Sequence, residues 1–272
     1  MSWLSDAEKD VFRRLLKALD GTKNEFIVVG GQAARLFRYH PWARTVDWQP
    51  ILTSDIDVAT DDKGHRAGVD LGARVNQQGF EGQMEGDDRP PRTLYVSASG
   101  NAEIEFITPD RPKRNPTGVT IDVLGISAKK VPHLEILLVE PCVVTVPDVG
   151  DVRVPSPASY ILQKTLTLTN RRTKEQRGKD ALYAHDALQL FSTPQGVLAE
   201  VVAQASHVRS TLGRKQLAEL QLNAAKLSDP RTDFVAEASR QAAAAGRRNQ
   251  GTEAIALANK LGFRDLGLLP KP

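Results

Sequence analysis

The chain runs Ile27-Val28-Val29-Gly30-Gly31-Gln32-Ala33-Ala34 and then, past one helix and a loop, Thr53-Ser54-Asp55-Ile56-Asp57-Val58. Few folds are open to such a chain. An apolar run entering a glycine pair that opens a helix is a strand–turn–helix, and its backbone N–H groups can approach a phosphate. In an extended Asp-x-Asp, side chains alternate, so Asp55 and Asp57 point to the same side. Two carboxylates on one face suit a hard divalent cation that also binds substrate phosphates. Read as one unit, the two stretches are a place to put a metal–nucleotide.

Composition sets outer bounds. The chain has 272 residues, 40% hydrophobic and 25% charged, enough to bury a sizeable core in one large or two smaller domains. No apolar run approaches the roughly 20 residues that span a bilayer. The acidic start, Met1-Ser2-Trp3-Leu4-Ser5-Asp6-Ala7-Glu8, has no signal-peptide pattern. A single cysteine, Cys142, excludes an internal disulfide framework and zinc-type spacing. These features lead us to expect a cytoplasmic protein. A formal charge of +3 allows a nucleic-acid or nucleotide partner without requiring one. The basic residues cluster at Arg111, Lys113 and Arg114, and more densely at Arg171, Arg172, Lys174, Arg177 and Lys179.

Periodicity predicts a helix over 4–19, a strand at 26–30, a helix from Gly31 to Tyr39 and a loop over 40–53. A strand at 55–60 and a helix around 64–78 follow. Gly82, Gly86, Asp87, Asp88, Pro90 and Pro91 read as an exposed loop. Strands are expected at 93–98 and 102–108, with further strands or connectors at 119–125, 135–139, 142–147 and 151–154. From Ser156 the pattern turns helical. Ser156-Pro157 supplies an N-cap and N1 proline, and Thr173-Lys174-Glu175-Gln176 fits a capping box. The Ala- and Leu-rich remainder, broken at Gly213, Asp229-Pro230 and Gly246, reads as a helical bundle. The expected fold is α/β (α+β): a mixed-sheet domain over 1–154, then an all-α helical domain over 155–272.

A two-metal site needs a third carboxylate from a neighbouring strand. Ala102-Glu103-Ile104-Glu105-Phe106-Ile107-Thr108-Pro109 is the best source, with Glu103 and Glu105 on one strand face. We take Glu105, nearer the Thr108-Pro109 exit, over Glu103; Asp122 is a weaker candidate. The five histidines show no ligand spacing and read as surface or capping residues. Trp42 and Trp48 suit either base stacking or ordinary packing.

Gly30-Gly31 followed by Asp55-Ile56-Asp57, with Glu105 on a later strand, resembles the DNA polymerase β-type minimal nucleotidyltransferase superfamily. The Gly30-Gly31-Gln32-Ala33-Ala34 form is similar to its bacterial branch of abortive-infection and toxin–antitoxin enzymes. The likeness covers 25–110 well, 155–191 more loosely, and does not extend to 195–272. It implies that Gly30 and Gly31 hold a triphosphate through backbone N–H groups. It further implies that Asp55 and Asp57 ligate two magnesium ions, manganese being an alternative, and that Glu105 completes the second site and helps deprotonate the acceptor. Ser54 is a candidate phosphate contact or turn cap. Lys164, on a helix, is a candidate triphosphate ligand, and Lys179, next to Asp180, is placed in the active-site wall. Glu stands where the family commonly has Asp, and Gln32 follows Gly31 where a serine hydroxyl is frequent.

The resemblance implies a magnesium-dependent transferase moving a nucleoside monophosphate from an NTP to an acceptor hydroxyl, with pyrophosphate release. The expected acceptor is a tRNA or other RNA 3′ end, on account of the Arg171–Lys179 cluster. A protein side chain is the alternative, and an antitoxin is an expected partner if the chain is a toxin. The competing reading is a catalytically inactive protein of the same fold that binds nucleotide or RNA and docks a partner through its C-terminal helices.

Overall fold

In the computed structural model the described residues are 3–51, 53–61, 69–86, 91–110, 118–247 and 249–270. They fall into two compact units. One comprises Met1–His40 with Leu52–Pro155, the other Pro41–Ile51 with Ser156–Pro272.

The first unit opens with α1 (Asp6–Ala18). Ser5 Oγ accepts from the Glu8 N–H and the Glu8 carboxylate accepts from the Ser5 N–H at 2.8 Å, a capping box that starts the helix. Its stripe of Val11, Phe12 and Leu15 is buried. Then come β1 (Ile27–Val28), α2 (Gly30–Leu36) extended by a 3-10 turn (Phe37–Tyr39), β2 (Asp55–Ala59), α3 (Leu71–Gln77), β3 (Phe80–Glu85), β4 (Arg92–Ser97) and β5 (Glu103–Pro109). The unit continues with β6 (Gly118–Ile121), β7 (Ile126–Val131) and a separate ribbon of β8 (Cys142–Val146) and β9 (Gly150–Val154).

The main sheet is seven-stranded, in the order β1-β2-β5-β4-β3, with β7 also beside β5 and β6 beside β7. Pairings β2–β5 and β5–β7 are parallel and the others antiparallel, so the sheet is mixed. Alternation sorts its residues. Ile56, Val58, Ile104, Phe106 and Tyr95 are buried together on one face, with the Phe26 and Tyr95 rings edge-on to Phe106 at 6.0 and 5.7 Å. Asp55, Asp57, Glu103 and Glu105 take the other.

The second unit holds α4 (Pro157–Leu166), α5 (Lys174–Leu190), a short hairpin of β10 (Ser192–Thr193) and β11 (Gly196–Val197), α6 (Ala199–Ser210), α7 (Arg214–Leu227), α8 (Asp233–Ala244) and α9 (Thr252–Asp265). Ser156 caps α4 through the Ser159 N–H at 3.2 Å, and Thr173 caps α5 through the Gln176 N–H at 3.1 Å. Every residue of α4 is buried. The segment Pro41–Ile51 belongs to this unit. The Arg44 N–H donates to Leu190 O at 2.9 Å, Arg247 donates to Gln49 O at 2.6 Å, and the Arg247 guanidinium lies 4.3 Å from the Trp48 ring centroid.

Some local expectations need correction. Gly82 sits in a strand, β3, and marks no loop. A Cβ there would come 3.3 Å from the Tyr95 ring and the Thr93 methyl, so the glycine permits close strand approach. This strand is an exposed edge and lacks the alternation that betrays half-buried strands. The segment 135–139 holds a 3-10 turn, Leu134–Ile136, and β7 had no counterpart in the sequence reading. Among the described residues the helix expected over 64–78 starts at Leu71, capped by Asp70 through the Ala73 N–H at 2.8 Å. Asp87, Asp88 and Pro90, the cluster Arg111, Lys113 and Arg114, and His65 lie outside the described residues.

His185, read as a surface or capping residue, is buried in α5 with Nδ1 3.0 Å from Asn259 Oδ1. Burial lowers its pKa from 6.5 to about 4; the Asn259 hydrogen bond opposes this, and Arg247 and Arg44 add to it. The folded state therefore favours the neutral ring. That stability is complete above pH 6.5 and is lost as pH falls from there toward 4, on the order of 3 kcal/mol. In urea unfolding at pH 7.5 and 4.5, wild type is expected to lose about that much more than His185→Asn. Equal pH slopes in the two proteins would refute it.

Candidate active site

The sheet register assembles the site. In the parallel β2–β5 pair Asp55 lies opposite Glu103 and Asp57 opposite Glu105, so the four carboxylates share one face. β1 runs antiparallel to β2, and the Val29 N–H donates to Asp57 O at 2.9 Å. This bond brings the glycine turn onto Asp57. Gly30 has φ +63°, and a Cβ on it would stand 2.2 Å from Asp57 Oδ2. Glycine is required twice over, by a left-handed backbone and by a carboxylate resting on it. Gly31 follows in the first turn of α2, half-buried.

Glu105 is 9% exposed, and both its oxygens are engaged. Oε1 accepts from Arg92 Nη1 at 2.5 Å and Oε2 from Lys129 Nζ at 3.1 Å. Arg92 also donates to Glu85 at 2.7 Å. The reason is topological. One edge of β5 is shared: β4 pairs along Glu103–Glu105 and β7 along Ile107–Pro109. Arg92 of β4 and Lys129 of β7 meet where one partner strand gives way to the other. Neither cation was singled out from sequence. The available signal was a basic residue in each strand flanking the carboxylates, which becomes informative only with the strand order.

Asp122, the weaker candidate, is exposed in a 3-10 turn after β6, a strand that among the described residues pairs only with β7. Ser54 is exposed and lines a cavity of 420 Å³ with Gln32, Thr53, Ile56, Asn101 and Ala102. Ile56 and Ala102 alternate away from the carboxylates, so this cavity lies on the other side of the strands. Ser54 is therefore not gathered with Asp55 and Asp57.

The lysines belong to the second unit. Lys164 is 5% exposed, bonds Asp180 Oδ1 at 2.9 Å, and lies 5.6 and 5.5 Å from the Tyr160 and Tyr183 ring centroids. Arg171 Nε holds the other Asp180 oxygen at 2.5 Å. The ammonium expected at a triphosphate is thus committed to a buried carboxylate. Lys179 is half-buried over Tyr183 at 5.9 Å, and Asp180, its chain neighbour, pairs with other cations. Tyr183 is buried, and Asp186, on the same helix face, pairs with Arg247 at 2.7 Å. In the basic cluster Lys174 pairs with Asp233 at 3.1 Å and Arg177 lies over Phe234.

The donor chemistry of Asp55 and Asp57 fits a hard divalent cation: carboxylate oxygens on one face, beside a glycine turn. Each oxygen of Glu105, the expected third ligand, accepts from a cation in this arrangement. Among the described residues no group of three His, Cys, Asp or Glu is placed to hold a metal.

A family model described as Nucleotidyltransferase matches residues 10–206. Among solved structures, the crystal structure of an antigenic nucleotidyltransferase-like protein from Paracoccidioides brasiliensis is similar at 16% identity. The match covers 80% of this chain and 93% of that one, with a TM-score of 0.43. No curated protein matches the chain. The matched stretch takes in the glycine turn, all four carboxylates and both cations beside Glu105, and the chain belongs to the nucleotidyltransferase family.

Proposed function

We propose that the protein transfers a nucleoside monophosphate from an NTP to an acceptor hydroxyl, with pyrophosphate leaving. The observation that carries this is the β2–β5 register, which sets Asp57 beside Glu105 with the Gly30 backbone against Asp57 on one sheet face. Asp55 and Asp57 would hold a divalent cation, which would supply charge neutralisation on the transferred phosphate. The chain's own part is positional. The turn at Gly30 and Gly31 brings backbone N–H groups to the phosphates and fixes the Asp57 carboxylate. Glu105 lies one strand further, where the acceptor hydroxyl would lose its proton, once Arg92 or Lys129 releases an oxygen.

The acceptor we favour is an RNA 3′ end, tRNA foremost, because Arg172, Lys174 and their neighbours present basic side chains on one exposed stretch. A toxin role belongs to the same proposal and entails growth arrest on overexpression. One observation favours a second reading, a nucleotide binder without transfer: both Glu105 oxygens are engaged by cations.

Purified protein incubated with each labelled NTP, magnesium, and total tRNA or a protein mixture is expected to transfer label. A chelator is expected to abolish that transfer. No label on any acceptor with any NTP, despite measurable nucleotide binding, would establish the second reading.

A further inference from the structure

We propose that Arg92 and Lys129 are the triphosphate ligands of this face, binding the phosphates that Glu105 mimics in the free protein. The inference rests on the reading of this face as a nucleotide site and names the side chains that receive the substrate's charge.

Three observations lead there. First, the two cations come from different strands and converge on one carboxylate that is itself the cross-strand neighbour of Asp57. A row across the sheet therefore passes from the glycine turn through Asp57 and Glu105 to Arg92 and Lys129. Its acidic half and its basic half lie side by side, as a cation–triphosphate complex requires.

Second, Glu105 is buried, with its side chain 11% exposed, whereas the Arg92 and Lys129 side chains are 32% and 40% exposed. The cations cover the carboxylate and face outward. Arginine carries five N–H donors and lysine three. The bonds to Glu105 and Glu85 leave donors over for a second anion. A bidentate guanidinium beside an ammonium is the donor set that phosphate oxygens favour.

Third, Lys164 is spent on Asp180 inside the other unit. The Lys164 side chain is 6% exposed, whereas those of Arg92 and Lys129 are 32% and 40% exposed and lie on the carboxylate face itself. A purely structural account would make them counter-ions for a buried carboxylate. Such a cluster is weak as a source of stability, because well-packed apolar residues serve as well or better.

The two accounts differ in what Arg92 and Lys129 contribute while Glu105 keeps its charge. As counter-ions they give the wild type no anion affinity, so Lys129→Gln leaves tripolyphosphate binding unchanged. As phosphate ligands they carry that binding, so Lys129→Gln weakens it, and an incoming anion binds more tightly once the internal competitor is gone. The experiment is calorimetric titration of the full chain with sodium tripolyphosphate in the presence of a chelator, with neither metal nor acceptor. Folding of each variant is checked by circular dichroism.

Glu105→Gln is expected to bind tripolyphosphate about tenfold more tightly than wild type, and Lys129→Gln about tenfold more weakly. Glu105→Gln combined with Lys129→Gln should lose the gain, and Arg92→Gln should weaken binding like Lys129→Gln. Lys129→Gln alters a partly exposed side chain, so it remains a test if Glu105→Gln does not fold. Unchanged affinity in Lys129→Gln, no gain in Glu105→Gln, or no measurable binding by any of the proteins overturns the proposal. Label transfer in the assay above, with unchanged tripolyphosphate affinity here, would leave the enzyme reading intact and place the phosphates on other groups. Tight binding without transfer would leave the inference standing for an inactive binder.

Discussion

Asp57→Ala is expected to reduce label transfer by about 1,000-fold or more, the order seen when a preorganised charge at a reacting centre is removed. Asp57 is the residue on which the site converges. Its backbone carbonyl accepts from Val29, its carboxylate rests on Gly30, and Glu105 stands opposite it in the next strand. No neighbouring carboxylate can take its place against the glycine turn. Asp55 precedes it by two residues, and Glu105 is held by Arg92 and Lys129.

Gly30→Ala tests the same contact from the other side. The added methyl would lie 2.2 Å from Asp57 Oδ2, in a backbone with φ +63°, and the left-handed conformation alone costs roughly 1–2 kcal/mol for a residue with a Cβ. Displacing the carboxylate by about 1 Å is expected to cost about 100-fold in transfer. Groups that act as a unit are non-additive. The double variant should therefore be no slower than Asp57→Ala, because the methyl then has no carboxylate to displace. Initial rates with the labelled NTP check all three. Retention of a tenth of wild-type activity by Asp57→Ala would remove it from the reaction.

Asp180→Ala is expected to give the largest loss of stability. Asp180 is 3% exposed and accepts from Lys164 at 2.9 Å and Arg171 at 2.5 Å. Burial alone would raise its pKa; the charges and hydrogen bonds of Lys164 and Arg171 outweigh that and hold it below the ordinary carboxylate range. Removing the carboxylate strands the Lys164 ammonium in the core of the helical unit, at a cost of about 3–5 kcal/mol. Lys164→Met with Asp180→Leu is expected to recover much of that loss, because an apolar pair needs no charge compensation. The depressed pKa also has a sign. The contribution is present above the unfolded value of 3.8 and lost as pH falls below it, so the pair fails only in strong acid. Urea unfolding decides. A loss under 1 kcal/mol in Asp180→Ala would mean that water reaches the pair.

The legible parts of this protein were those governed by short-range rules. The strand into Gly30, the two Asp side chains on one face, and the caps at Ser156 and Thr173 follow from alternation, glycine's conformational freedom and hydroxyl capping. Each involves residues close in sequence, and the structure places them as local chemistry requires. Edge strand β3 escaped because its residues after buried Phe80 are exposed or half-exposed on both faces, erasing the period-two signal. β7 escaped because its identity lies in pairing with β5, distant in the chain.

The site divides along the same line. The sequence by itself determined a glycine turn, an Asp pair on one strand face and a second acidic strand, because backbone geometry within a few residues dictates them. Only the tertiary structure decided which strand neighbours which. That order put Arg92 and Lys129 on Glu105, Lys164 on Asp180, and the segment Pro41–Ile51 with the helical unit. The physical reason is that a charge's role depends on its partner and its burial. A lysine facing water and a lysine locked to a buried carboxylate are written alike in the chain. Long-range strand register, which no local period encodes, decides which carboxylate two cations hold.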